Sequence, residues 1–94
     1  MPLTPDQRLA VPPDVLINVF GGQSVILNLK SERYFGLDEV GTSMWKALTT
    51  SASISDAERA LLAEFDVEPA RLRQDLRALA EKLLENGLLE VSSG

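Results

Sequence analysis

A pair of glycines, Gly21-Gly22, lies between two runs of strand-forming residues, Val15–Phe20 and Ser24–Leu29. This arrangement predicts a tight hairpin, because glycine accepts the positive φ that two-residue turns demand. In the first run Val15, Ile17 and Val19 alternate with Leu16, Asn18 and Phe20. In the second, Val25, Leu27 and Leu29 share one face, while Ser24, Ile26 and Asn28 share the other. Lys30-Ser31-Glu32 reads as a polar turn. Arg33–Leu37 reads as a third, short strand with Tyr34 and Phe35 on opposite faces. The three strands form an antiparallel meander.

The apolar period then changes. Leu37, Val40, Met44, Trp45 and Leu48 fall at helical spacing, with Asp38 as N-cap. Gly41 inside that helix costs up to about 1 kcal/mol against alanine, which points to close packing there. Residues 49–53 are a small-residue break. Ser55-Asp56-Ala57-Glu58 has the form of a capping box and starts a second helix. Pro69 opens a third helix, whose core face is Leu72, Leu76, Leu79, Leu83 and Leu84. Asn86-Gly87 ends it with a left-handed glycine, and Leu88, Leu89 and Val91 are expected to tuck back onto the core. The fold class is α+β and winged-helix-like: a three-stranded antiparallel sheet followed by three helices. A proline-rich flexible arm is expected over residues 1–13, one domain over 14–91 and a frayed tail over 92–94.

Composition narrows the function. The chain has 94 residues, no cysteine and no histidine. It therefore lacks the commonest general base and metal ligands, and no histidine can activate a serine. Neither catalytic residues nor a metal or cofactor is expected. The net charge of −5 disfavours nucleic acid, since phosphate neutralisation needs surplus Lys and Arg. A winged-helix DNA-binding regulator is the alternative reading, with Arg71, Arg73, Arg77 and Lys82 on a recognition helix. Asp75, Glu81 and Glu85 offset those charges, and Arg71–Asp75 and Arg77–Glu81 sit at the spacing of ordinary helix-surface pairs. A stand-alone peptidase or cyclase would need Ser–Lys or carboxylate chemistry, and no such pairing is visible. The apolar run Val25-Ile26-Leu27 is far short of the roughly 20 residues of a membrane span, and no signal peptide is recognisable. A cytoplasmic chain without membrane partners is expected.

The third strand is short, aromatic and last in the meander. Such an edge presents unpaired N–H and C=O groups and accepts a strand from another chain. Addition of a peptide there is β-augmentation. Phe35 reads as core, whereas the polar tip of Tyr34 can stay wet. The chain is expected to be a monomer in solution that can pair edge to edge at crystal concentrations.

The ordered set Val25-Ile26-Leu27-Asn28-Leu29, the run Arg33-Tyr34-Phe35-Gly36-Leu37-Asp38-Glu39-Val40-Gly41, and Met44-Trp45 resembles the pyrroloquinoline-quinone biosynthesis D-protein family. Phe65-Asp66-Val67-Glu68-Pro69, Asp75-Leu76 and the run from Leu83 to Leu89 extend the likeness over roughly residues 14–91. The resemblance implies a non-catalytic recognition element that binds the leader segment of a ribosomal precursor peptide. The leader would add as a strand on the third strand, against the third helix. The partner would be a maturation enzyme, either a leader peptidase or a radical enzyme. Carried over by position, the groove comprises Arg33, Tyr34, Phe35, Gly36 and Leu37 on the strand, and Arg71, Leu72, Asp75, Leu76, Ala78 and Leu79 on the helix. Backbone groups of residues 33–37 would pair with the leader. Tyr34, Leu72, Leu76 and Leu79 would line apolar pockets, and Arg71 and Asp75 would select charge. The helical period equally allows Leu76 and Leu79 to be pure core.

The chain departs from the quinone-pathway pattern at Lys30-Ser31-Glu32 and Thr49-Thr50-Ser51, where a Pro-Glu step and an Asp-Gly pair are usual. Its Pro12-Pro13-Asp14-Val15 entry and Arg33-Tyr34-Phe35 strand look more like the stand-alone leader-binding proteins of lasso-peptide pathways.

Overall fold

Both residues of the glycine turn have positive φ, 55° at Gly21 and 90° at Gly22. Phe20 and Gln23 are paired directly across them, the geometry of a type I′ hairpin. A computed structural model of the chain describes residues 3–92. Its elements run β1 (Arg8–Ala10), β2 (Val15–Phe20), β3 (Gln23–Asn28), β4 (Tyr34–Leu37), α1 (Glu39–Thr50), α2 (Ile54–Glu64), α3 (Pro69–Glu85) and β5 (Glu90–Ser92). The expected meander is the antiparallel sheet β2-β3-β4, followed by the three expected helices, and the fold is α+β. Among the described residues no helix is long and apolar enough to cross a membrane.

In β3 the less apolar face of the strand turns inward. Ser24, Ile26 and Asn28 of β3 are buried against the helices, while Val25 is exposed and Leu27 half-buried. Hydrogen bonds make this possible, because buried polar groups are tolerated when paired. Ser24 Oγ lies 2.7 Å from Thr42 Oγ1 on α1. Asn28 Nδ2 donates to the Gly87 carbonyl at 2.8 Å, and Asn28 Oδ1 accepts from the Lys30 and Ser31 amides.

The helices follow their local signals with one shift. Asp38 caps α1, its Oδ1 accepting from the Gly41 amide at 2.7 Å. Gly41 is packed as closely as its cost suggests: a Cβ there would sit 3.1 Å from Leu37 Cδ2. For α2 the cap is Ser53 rather than Ser55, with Ser53 Oγ accepting from the Asp56 amide. The expected box does not form around Ser55, which lies inside the helix with its amide bonded to the Pro5 carbonyl, while Glu58 pairs with Arg73 of α3 at 2.9 Å. At the end of α3, Gly87 has φ 70°. Its amide donates to the Leu84 carbonyl and the Leu88 amide to the Leu83 carbonyl, a Schellman motif. Leu88 and Leu89 are buried in the core as expected, while Val91 is exposed.

The N-terminal segment differs from expectation. Residues 3–13 are not a free arm, because β1 pairs antiparallel with β5, with Leu9 opposite Val91. Leu3 and Leu9 are buried in the core. The Gln7 and Pro5 carbonyls accept from the Ile54 and Ser55 amides at 2.8 and 2.9 Å, satisfying the open start of α2. The proline pair at 12–13 ends this segment without detaching it, since β1 lies wholly before it. A hydrogen bond from Thr4 holds the Asp6 carboxyl below the usual aspartate range. Of the tail expected to fray over 92–94, Ser92 ends β5 opposite Arg8, and Ser93 and Gly94 lie outside the described residues.

Candidate peptide-binding groove

The strand order leaves one side of β4 without a neighbour. Which of its groups face that side follows from register. Ser24 is opposite Leu37, Val25 opposite Gly36, Ile26 opposite Phe35 and Leu27 opposite Tyr34. One step further, the Asn28 amide donates to the Arg33 carbonyl at 2.8 Å. Hydrogen-bonded pairs alternate along an antiparallel ladder, so Phe35 and Leu37 direct their backbone groups at β3. Tyr34 and Gly36 direct theirs outward. The open edge therefore offers the N–H and C=O of Tyr34 and Gly36, not those of every residue in the strand.

Alongside β4 runs α3, in the opposite direction. At one end Arg33 Nη1 donates to Asn86 Oδ1 at 2.9 Å. In the middle the Lys82 ammonium sits 5.6 Å from the centroid of the Phe35 ring, a cation–π distance. Phe35 lies on the inner face of the sheet and packs against the core together with Leu79. At the other end, beyond β4, is a cavity of about 110 Å³ lined by Val40, Met44, Leu61, Phe65, Val67, Arg71, Leu72 and Asp75. Its walls are apolar and its charge comes from Arg71 and Asp75, whose side chains are exposed and 3.9 Å apart. The arrangement can hold an extended peptide by backbone bonds at the edge and by one apolar side chain in the cavity.

The expected residues divide. Arg71, Leu72 and Asp75 meet at the cavity, while Phe35 and Leu79 flank the core beneath the groove. Leu37 is buried and faces inward. Leu76 has 0% exposure, so its side chain is core and lines no pocket. Tyr34 is 75% exposed and stands on the outer face opposite Leu27, not in an apolar pocket. Ala78 and Gly36 are exposed. The sequence reading missed Val40, Met44, Leu61, Phe65 and Val67 at the cavity, and Lys82 and Asn86 along α3. Val67 carried a usable signal: it is the one apolar residue of the connector Asp66-Val67-Glu68.

A family model described as coenzyme PQQ synthesis protein D matches residues 23–89 of the chain. Two solved structures share the fold. One is TbiB1 in complex with the TbiA(beta) leader peptide, with a TM-score of 0.80 and 28% sequence identity, covering 90% of this chain and 99% of that one. The other is a lasso peptide synthetase B1 complexed with the leader peptide, with a TM-score of 0.77 and 24% identity, covering 88% of this chain and 98% of that one. Among curated proteins, a sequence search finds no match.

Proposed function

Since the chain belongs to the coenzyme PQQ synthesis protein D family, we propose that it is a non-catalytic adaptor for a ribosomal precursor peptide. The leader segment adds as a strand on β4, bonds to the outward groups of Tyr34 and Gly36, and runs against α3. An apolar leader side chain occupies the cavity between Val40 and Leu72, with Arg71 and Asp75 reading charge beside it. The chain then hands the peptide to a maturation enzyme, a leader peptidase of the lasso-peptide type in preference to a radical enzyme. It acts as a monomer in the cytoplasm. The observation that carries this reading is the unpaired edge of β4 with an apolar cavity beyond its end. Likeness to a leader-bound complex at 28% identity supports it.

The DNA-binding alternative is not favoured. Two of the arginines on α3 are engaged by carboxylates, Arg71 by Asp75 and Arg73 by Glu58. The comparisons return leader-peptide complexes.

The test is a chemical-shift titration of the labelled protein with the leader peptide encoded beside it. The amides of Tyr34 and Gly36 and the residues around Val40 and Leu72 should shift. Absence of any shift at millimolar peptide would remove the reading.

A further inference from the structure

The outer face of the sheet is uncharged and uncovered, and its only polar side chains from β2 and β3 are Asn18 and Gln23, which the register places beside Val25 and Phe20. Leu16, Phe20, Val25 and Tyr34 all project from it and all are exposed, Phe20 at 61%. No residue of β2, β3 or β4 carries a charge, although charged residues make up 24% of the chain. A sheet face left to water is ordinarily polar, and exposed strands are ordinarily guarded by charge.

Gly36 stands on this face. Its φ is not positive, and a Cβ built on it meets nothing within 4 Å. Neither backbone geometry nor packing within the chain requires glycine, which weakens a strand by roughly 0.5–1 kcal/mol. A strand glycine with neither bulge nor bend is the kind of place where a ligand or another backbone approaches closely. Beside it is a hollow of about 310 Å³, with Phe20, Gln23, Val25 and Asp38 on its walls.

We infer that this outer face is the docking surface for the enzyme that processes the bound peptide, which places an uncharged, apolar side chain in the hollow at Gly36. The inference rests on the adaptor reading above. Continuity of the two surfaces selects this occupant. Tyr34 and Gly36 offer their backbone groups to the added strand and present their side-chain positions on the outer face. Alternate side chains of that strand therefore continue the same face. An enzyme docked there touches adaptor and peptide together and engages the loaded adaptor more tightly than the empty one.

The experiment uses the purified chain, a fluorescent leader peptide and the purified maturation enzyme encoded beside the chain. Phe20→Asp and Leu16→Lys place charges on the outer face from β2, which β3 separates from the open edge of β4, and neither residue lines the cavity at Leu72. Circular dichroism confirms that each is folded, and one folded variant suffices. Leader affinity should stay within about twofold of wild type, while enzyme binding and peptide processing fall by about tenfold or more. Unchanged processing with normal leader binding would overturn the inference and leave the adaptor reading intact. A wild-type dimer in sedimentation that Phe20→Asp converts to monomer would also overturn it, assigning the face to a second copy. A wild-type chain that binds no leader would bring down both.

Discussion

Asn28 and Gly87 are joined across 59 positions of the chain by a hydrogen bond of 2.8 Å from the Asn28 amide nitrogen to the Gly87 carbonyl. The bond ties the end of β3 to the left-handed residue that terminates α3. Asn28 Oδ1 also accepts from two amides of the turn that leads into β4. One buried side chain thus ties the end of β3 and the turn into β4 to the end of α3.

Asn28→Ala is therefore expected to lower stability by about 1–3 kcal/mol, the cost of leaving buried partners unpaired. Leader affinity should fall with it, because β4 and α3 lose their common anchor. Chemical denaturation and a leader titration check the two effects. Asn28→Asp should also destabilise, because it keeps the acceptor for Lys30 and Ser31 but buries a carboxylate oxygen against the Gly87 carbonyl.

The β1–β5 ribbon makes the N-terminal segment structural. Leu9 is 2% exposed, and Leu9→Ala should cost about 2–5 kcal/mol through lost burial and the cavity left behind. Deletion of residues 1–10 should destabilise further, since it also opens the amides of Ile54 and Ser55 at the start of α2. Thermal melts of the two variants measure both.

Proline substitution separates the two sides of β4. Gly36→Pro removes an outward N–H, so the fold should survive while leader affinity drops by about tenfold, one lost hydrogen bond plus steric conflict with the incoming strand. Phe35→Pro removes an inward N–H from the ladder with Ile26 and should lower the melting temperature. Equal leader affinity in wild type and folded Gly36→Pro would show that the peptide does not use this edge.

Filling the cavity should block its ligand without weakening the fold. Val40 is exposed at the cavity's mouth, so Val40→Trp should leave the melting temperature within a few degrees. Its leader affinity should fall on the order of tenfold, as for loss of a central anchor. Calorimetric titration against wild type reads the difference.

Arg71 and Asp75 form an exposed pair at 3.9 Å, a geometry worth roughly 0–1 kcal/mol to stability. Asp75→Lys should scarcely move the melting temperature. It should change which leader charges are tolerated next to the apolar anchor, and raised salt should diminish that change. A panel of leader peptides with single charge reversals, titrated at two salt concentrations, checks this.

Much of the fold was readable locally. The Gly21-Gly22 turn, the cap at Asp38, Pro69 at the first position of α3 and the left-handed Gly87 all act within a few residues of themselves. The same is true of the change from a two-residue to a helical period near Leu37. For this reason the order of β2, β3, β4 and the three helices, and β4 as an edge, follow from sequence, whereas β1 and β5 do not. The cap of α2 was misplaced because Ser53 and Ser55 are both competent, and the N-terminal segment, whose Gln7 and Pro5 carbonyls take the Ile54 and Ser55 amides, meets the helix with Ser53 as its cap.

Pairings between distant residues decided the rest. Val25, Leu27 and Leu29 form the more apolar alternation, yet Ser24, Ile26 and Asn28 face inward, because Thr42 and Gly87 wait there with hydrogen bonds. Leu76 and Leu72 share one helical stripe, but the first is wholly buried and the second lines the cavity. Phe35 and Gly36 are neighbours in one strand, and only the register with β3 assigns the inward N–H to one and the outward N–H to the other. Residues 3–10 looked like a loose arm because their partners lie at the far end of the chain. Local periodicity and caps select elements, since their energies come from adjacent residues. Facing, docking and the free edge arise from contacts that exist once the chain has closed on itself.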